Sequence, residues 1–365
     1  MSSAAAASVR QHLAAILPNK GSLLKVVQRP TPTPGPGELL IDVHSIALNP
    51  IDYYQRDMGF VIESYPAIPG SDIAGVVIAI GPSVPAEAPQ VGTRVTAFAP
   101  CFFHKGAPDY GALQKKVLVP ATSACPLPDS MSFNEGAILP MAVQTTWAGW
   151  YSIGLARDTK FAPEDKKGVL VWGGGGSVGS AAIQVARSMG FVVYATASAK
   201  HHEYLKTLGA SKLFDYKDAN VVEKIVQTAK EDGVAIDVGY TAGIGSVPSC
   251  MEVLKAAKST EVAKLASAIR LPADLPAVDG VEVKFVAAPL DSTERDEFSK
   301  FVYWTWLKER LQSGEFVPSP SIKVIDGGLE SANKALDELK AGVSGVKLVL
   351  ECFNAPGPKS THLTF

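Results

Sequence analysis

The hydrophobic positions of the first 140 residues fall in short β-branched runs, among them Leu39-Leu40-Ile41-Asp42-Val43 and Ile73-Ala74-Gly75-Val76-Val77-Ile78. Proline and glycine clusters separate these runs: Pro30-Thr31-Pro32-Thr33-Pro34-Gly35-Pro36-Gly37, Ile68-Pro69-Gly70 and Gly81-Pro82. Short strands punctuated by turns predict a small barrel or sandwich. From about Phe133 the period changes. A helix is predicted over 135–151, a buried-type strand over 168–172, then a four-glycine turn and a helix over 177–189. Strands over 191–197, 213–216 and 236–240 alternate with helices over 202–208 and 221–230. That alternation predicts a doubly wound parallel sheet, so the chain is read as α/β. A long amphipathic helix over 298–311, another over 329–340 and a strand over 347–350 follow. Periodicity alone leaves open whether these extend the parallel sheet or return to the first region.

The strongest local signal is Val169-Leu170-Val171-Trp172-Gly173-Gly174-Gly175-Gly176-Ser177-Val178-Gly179. Gly174, Gly176 and Gly179 give the GxGxxG spacing after a strand and at the start of a helix, the context a dinucleotide site requires. Gly174 is expected to make the sharp turn, Gly176 to admit a diphosphate, and Gly179 to let helix and strand pack closely. Ser177 and Val178 open the helix whose free N–H groups and positive dipole end would meet the phosphates. The next strand ends Ala195-Thr196-Ala197-Ser198-Ala199-Lys200, without the acid that would accept both ribose hydroxyls. Ser198 and Lys200, with Tyr216 after the following strand, instead offer donors to a 2′-phosphate. NADPH is therefore favoured over NADH.

Composition narrows the functional classes. The 365 residues suffice for two or three domains, and 47% hydrophobic against 19% charged residues supports buried cores. With 34 Lys and Arg against 36 Asp and Glu, the formal charge is −2, so the electrostatic footprint of a nucleic-acid binder is missing. Cys101, Cys125, Cys250 and Cys352 lack CxxC spacing, which argues against a disulfide framework and a structural zinc site and fits a reducing compartment. No run approaches the roughly 20 apolar residues of a membrane helix. Met1–Arg10 lacks the apolar segment of a secretory signal and reads as a disordered start to a cytoplasmic protein; an organellar transit peptide has only the Ser/Ala bias behind it.

Several motifs, in order, make the chain resemble the medium-chain dehydrogenase/reductase superfamily, in its zinc-independent quinone oxidoreductase (zeta-crystallin-like) and enoyl reductase branch. They are Pro34-Gly35-Pro36-Gly37-Glu38, Ala47-Leu48-Asn49-Pro50-Ile51-Asp52, Ile68-Pro69-Gly70-Ser71-Asp72-Ile73-Ala74-Gly75, Gly92-Thr93-Arg94-Val95, the glycine loop, Leu208-Gly209-Ala210 and Val343-Ser344-Gly345-Val346-Lys347-Leu348. The resemblance implies a GroES-like β-rich catalytic domain from residues 1–140 and 300–365, and a Rossmann NADPH-binding domain from 141–299. It also implies hydride transfer from NADPH to an activated C=C bond or a quinone in the cleft between them. Zinc-dependent relatives carry Cys where this chain has Asn49 and His-Glu where it has Ser71-Asp72, so no metal is expected.

Site residues follow from the same resemblance. Asn49 and Tyr54 would face the nicotinamide beside Pro50: Tyr54 would bond the carbonyl or donate the proton, and Asn49 would orient substrate or ribose. Tyr53 is adjacent, and a shift of one residue would exchange the two tyrosines. Gln144 and Thr145 would flank the nicotinamide, Thr241 would lie beside the dinucleotide, and Lys347 near its phosphates or carboxamide. The expected substrate is a small apolar conjugated molecule, lined by some of Tyr53, Tyr54, Phe60, Tyr65, Phe102, Phe103 and Trp147; a monomer or homodimer is expected. Polyketide-associated members often carry Lys at the Tyr54 position, which counts against a tethered substrate without excluding it. Two other readings stay open: an enoyl reductase subunit acting in trans with a synthase, and a dinucleotide-binding protein with little catalysis.

Overall fold

The computed structural model describes residues 10–352; the Ser/Ala-rich residues 1–9 lie outside them. Strands β1 (Gln11–Ile16) and β2 (Lys25–Pro30) pair antiparallel as a separate ribbon. The first large sheet takes β3 (Glu38–Ala47), β4 (Asp72–Ile80), β5 (Arg94–Phe98), β6 (Lys116–Pro120) and β7 (Ala124–Pro126) from the N-terminal region. Helix α1 (Pro50–Met58) leaves the end of β3, with proline at its first position and left-handed Gly59 closing it.

The predicted helix over 135–151 is two helices, α2 (Phe133–Ala137) and α3 (Pro140–Ser152). Pro140 explains the break: it has no amide hydrogen to continue the ladder, yet suits the first position of a new helix.

The second sheet is built from β8 (Lys167–Trp172), α4 (Ser177–Ser188), β9 (Val192–Thr196), α5 (His202–Leu208), β10 (Lys212–Phe214), α6 (Val221–Asp232), β11 (Ala235–Thr241), α7 (Val247–Ala257), β12 (Ala263–Ser267) and β13 (Val281–Phe285). Its strand order is β10-β9-β8-β11-β12-β13 and every pairing is parallel. This is the doubly wound parallel sheet expected from the alternation, and the Rossmann order the resemblance implies. The order reverses between β8 and β11, which places a crevice beyond their carboxyl ends.

Helix α8 (Ser292–Lys300), a π-helical segment (Phe301–Leu307) and α9 (Lys308–Ser313) form one continuous run, so residue 300 lies inside a helix. Its buried face carries Val302, Tyr303, Trp306 and Leu307, and Trp147 packs edge-on against Phe301 and Trp306 at 4.9 and 5.5 Å. The aromatic cluster of this run is packing. It shares one core with Ala47, Ala74 and Phe98 of the first sheet and Ala181 and Val185 of α4.

The chain then returns. β14 (Ser321–Ile325) pairs parallel with β15 (Val346–Glu351), with α10 (Ala332–Ala341) between them, and β15 pairs antiparallel with β3. The register sets Val349 against Ala47, and the Leu48 amide donates to the Leu348 carbonyl at 2.9 Å. Lys347 is thereby delivered to Asn49. Among the described residues no helix is long and apolar enough to cross a membrane.

Candidate functional site

The glycine loop follows β8 at the switch point. The left-handed turn falls on Gly173 (φ +88°), one residue before the expected Gly174. Gly174 is needed for space instead, since a Cβ there would lie 2.9 Å from Ile183 Cδ1. A Cβ on Gly179 would lie 2.1 Å from the Gly173 carbonyl oxygen, so α4 packs on the turn only with glycine there. Gly176 differs: nothing stands nearer than 3.9 Å to a Cβ, and this exposed residue caps α4 without a side chain. Here the cradle is open toward the crevice. The first N–H groups of α4, from Ser177 to Gly179, have no intrahelical acceptor, which suits a diphosphate.

Ser198 Oγ and the Tyr216 hydroxyl stand 3.5 Å apart at the ends of β9 and β10, beside exposed Lys200. Ser198 and Tyr216 thus come together, and Lys200 follows two residues after Ser198 in the chain. Asp215 also reaches this corner, accepting from the Ala199 amide at 3.3 Å and the Lys217 amide at 3.0 Å. Those bonds hold its carboxyl below the usual range. Thr241 is fully buried and its hydroxyl is taken up by Ser246 and the Gly243 amide. Gly243, whose amide nitrogen stands 3.0 Å from where a Cβ on Gly173 would be, faces the glycine loop in its place.

A second set of polar groups is buried where α1, β4, α3 and β15 meet. Asn49 begins α1, but its side chain does not cap the helix. Its Nδ2 donates to Asp72 Oδ2 at 2.8 Å and its Oδ1 accepts from Lys347 Nζ. Lys347 Nζ lies 3.1 Å from Asp72 Oδ2, and Asp72 Oδ1 accepts from the Met141 amide at 2.6 Å. The ammonium expected near the phosphates or carboxamide bonds Asn49 and Asp72, because the β3–β15 register carries it into the interior. Asp72 is fully buried and Lys347 nearly so. Burial pushes the Asp72 carboxyl up, against the pull of Lys347.

Asp52 is fully buried one helical turn on. Its Oδ2 accepts from the Asn49 amide at 2.8 Å, and its Oδ1 has no hydrogen-bond partner among the described residues. Burial, with Asp72 nearby, pushes this carboxyl up to about 7. Gln144 is buried, its Oε1 accepting from the Tyr303 hydroxyl at 2.8 Å, and the Thr145 carbonyl accepts from Tyr240. Pro50 is exposed at the head of α1.

Tyr54 is 39% exposed, edge-on to Tyr53 with ring centroids 4.4 Å apart. Burial first, and then Tyr54, pushes the Tyr53 phenol up to about 12. An aromatic series runs inward from exposed Phe60 through Phe102 and Phe103 to buried Phe98, with centroid spacings of 6.4, 5.4 and 6.3 Å. Phe98 pairs with Asp72 across β5 and β4. It also lines a cavity of about 410 Å³ together with Phe103, Gln144 and Arg295. Trp147, by contrast, is core.

Sequence reasoning passed over Asp52, Asp72 and Asp215. The first two stand in motifs already quoted, Asn49-Pro50-Ile51-Asp52 and Gly70-Ser71-Asp72, where burial was the missing signal. Among the described residues no three of His, Cys, Asp and Glu cluster so as to hold a metal ion.

Comparison with known proteins follows the same division. Residues 35–129 match the alcohol dehydrogenase GroES-like domain and 177–260 the zinc-binding dehydrogenase domain. The chain is 46% identical to the trans-enoyl reductase tndF of Aspergillus flavipes over 342 residues, 93% of this chain and 99% of that protein. It is also 46% identical to the trans-enoyl reductase tazE of Aspergillus terreus over 80% of this chain and 96% of that one. Its fold matches an alcohol dehydrogenase superfamily protein of Novosphingobium aromaticivorans (TM-score 0.75, 22% identity, 94% of this chain and all of that one). A mycobacterial quinone oxidoreductase is similar in fold as well (TM-score 0.71, 24% identity, 93% of this chain and all of that one).

Proposed function

Because this chain belongs to the medium-chain dehydrogenase/reductase superfamily, in its enoyl reductase and quinone oxidoreductase branch, we propose that it is an NADPH-dependent enoyl reductase acting in trans with a synthase. When bound, the dinucleotide supplies the hydride, and the acceptor is a C=C bond activated by conjugation with a carbonyl. The open cradle at Gly176, with Ser198, Lys200 and Tyr216 at the neighbouring strand ends, supports a phosphorylated dinucleotide.

The carrying observation is the locked amide of Asn49. Asp72 and Lys347 fix which end of it points where, so its remaining N–H and lone pair hold one orientation toward ribose or substrate. The acceptor is polarised by hydrogen bonds alone in this reading, which restricts it to conjugated systems. The Tyr54 hydroxyl bonds the acceptor carbonyl or returns the proton to the developing enolate, and its exposure leaves it accessible for either task. The series Phe60, Phe102, Phe103 and Phe98 offers an apolar acyl chain a surface that excludes water.

NADPH oxidation tests this with an α,β-unsaturated thioester, presented free and on an acyl carrier, against a simple enone and a quinone. Saturated thioester should form, faster from the carrier. Tight NADPH binding with no thioester reduced in either form would refute the assignment.

A further inference from the structure

The long helical run that follows β13 changes pitch at one place. It is α-helical in α8 and α9 but π-helical from Phe301 to Leu307, where the wider turn re-aims the side chains it carries. Tyr303 is one of these. Its ring is fully buried, and its hydroxyl lies 2.8 Å from Gln144 Oε1 and 3.2 Å from the Pro140 carbonyl oxygen. Pro140 opens α3, so its carbonyl already takes the amide four residues on, that of Gln144 itself. The phenol proton therefore goes to the Gln144 side chain. Burial, and after it Asp72, pushes this phenol well above its ordinary range, so the proton stays.

That bond fixes which end of the Gln144 amide faces where. With Oε1 taken, Nε2 points away from Tyr303. It has no hydrogen-bond partner among the described residues, although Gln144 is only 5% exposed. Nor is it sealed in, as Asp52 Oδ1 is. The open space that Gln144 lines is the cavity of about 410 Å³, shared with Phe98 and Phe103. A buried side chain thus presents two N–H groups to a partly aromatic cavity. Phe98 ties that cavity to the polar cluster, since it pairs with Asp72, and Asp72 holds Asn49.

We propose that Gln144 donates a hydrogen bond to the carbonyl oxygen of the acceptor, and that Tyr303 is the positioning residue that aims it. The inference rests on the reductase reading above and deepens it. The resemblance sets Gln144 beside the nicotinamide, whereas here its N–H groups turn to the substrate. When hydride reaches the β-carbon, the C=C electron pair shifts and the carbonyl oxygen becomes an enolate oxygen. A fixed neutral donor is worth most at that moment. The proton that completes the reduction goes to the α-carbon. With the oxygen held from α3, the Tyr54 hydroxyl is left to supply it. The acceptor that fits is an enoyl group whose carbonyl lies against Phe98 and Gln144.

Two readouts test this with one probe, an α,β-unsaturated thioester of N-acetylcysteamine carrying ¹³C at the carbonyl. The first is kcat and KM for its reduction by NADPH in the wild type, Q144M, Y303F and the double variant. Q144M should lower kcat on the order of hundredfold, and Y303F about tenfold. KM, and Kd for NADP⁺, should change by less than about threefold. The double variant should match Q144M, because Tyr303 acts only through Gln144. The second readout is the infrared carbonyl band of the thioester bound with NADP⁺, where no turnover occurs. A donor lowers its frequency. In Q144M the band should return to its position in an apolar solvent, and in Y303F part of the way, a shift that lost stability alone does not produce. Thermal midpoints show which variants fold; if Q144M does not, Y303F and its band carry the test. An unmoved band, or a kcat within about twofold of wild type, overturns the proposal. So does a loss confined to NADP⁺ affinity, which would return Gln144 to the nicotinamide. A wild type that binds the thioester without reducing it refutes the reductase reading, and the band still decides this one; a thioester that does not bind refutes both.

Discussion

Replacing Asp72 by asparagine removes one charge from the interior and leaves its partner stranded. The carboxylate takes three donors: Lys347 at 3.1 Å, Asn49 Nδ2 at 2.8 Å and the Met141 amide at 2.6 Å. An amide offers one oxygen, so in either orientation its NH2 group faces a donor. Lys347 is 5% exposed and finds no water to replace the lost charge. Breaking a buried pair from one side costs about 3–5 kcal/mol, a large part of a typical stability of about 5–15 kcal/mol. K347M strands the carboxylate instead and should cost a similar amount. The double variant D72N/K347M leaves neither charge unpaired, so it should be less destabilised than the sum of the singles, with coupling of about 2–3 kcal/mol. Urea unfolding at pH 7, followed by tryptophan fluorescence, measures all four corners of the cycle. A D72N variant within about 1 kcal/mol of wild type, or a strictly additive cycle, would refute the account of this pair.

Three further outcomes are expected. Asp52 holds its proton up to about pH 7 when folded and loses it near its ordinary 3.8 when unfolded, so its contribution to stability declines as pH rises through that window. At about 1.4 kcal/mol per pH unit, D52N, which can still accept from the Asn49 amide, should gain up to about 4 kcal/mol on the wild type between pH 4 and 8. Parallel slopes of unfolding free energy against pH would contradict this. Gly176→Ala should keep the thermal midpoint yet weaken dinucleotide binding at least tenfold, whereas Gly179→Ala, with its Cβ 2.1 Å from a carbonyl oxygen, should destabilise the fold itself. The reverse pattern in melting and calorimetry would rule out the cradle as described. Lys200→Ala should weaken NADP⁺ by roughly fivefold and leave NAD⁺ nearly unchanged in fluorescence titration; equal losses would take the 2′-phosphate away from this residue.

The alternating strands and helices and the glycine spacing were legible because each is written within a few residues. Helix α5 spans the expected 202–208, and β8 through α4 differ from expectation by a residue at either end. What escaped was written between distant segments. Lys347 and Asn49 are 298 residues apart, and their meeting depends on the antiparallel register of β15 on β3, which no periodicity encodes. The motif around Lys347 places it near the phosphates or the carboxamide and carries no sign of its bonds to Asn49 and Asp72. The edge strand β13 was also hidden: the stretch before it has turn-like composition, and five half-exposed residues carry little pattern.

The pairing of β15 with Ser45–Ala47 of β3 bears on biosynthesis. β4 and β6 emerge from the ribosome early, but the end of β3 beside Asn49 keeps an open edge until residues 346–351 have been made. At about 5–20 residues per second, that is on the order of 15–60 s of translation after Asn49. The parallel sheet can therefore close while the buried cluster of Asn49, Asp72 and Lys347 is still lacking its last strand. During that interval the exposed strand edge of the nascent chain would be a natural client for chaperones.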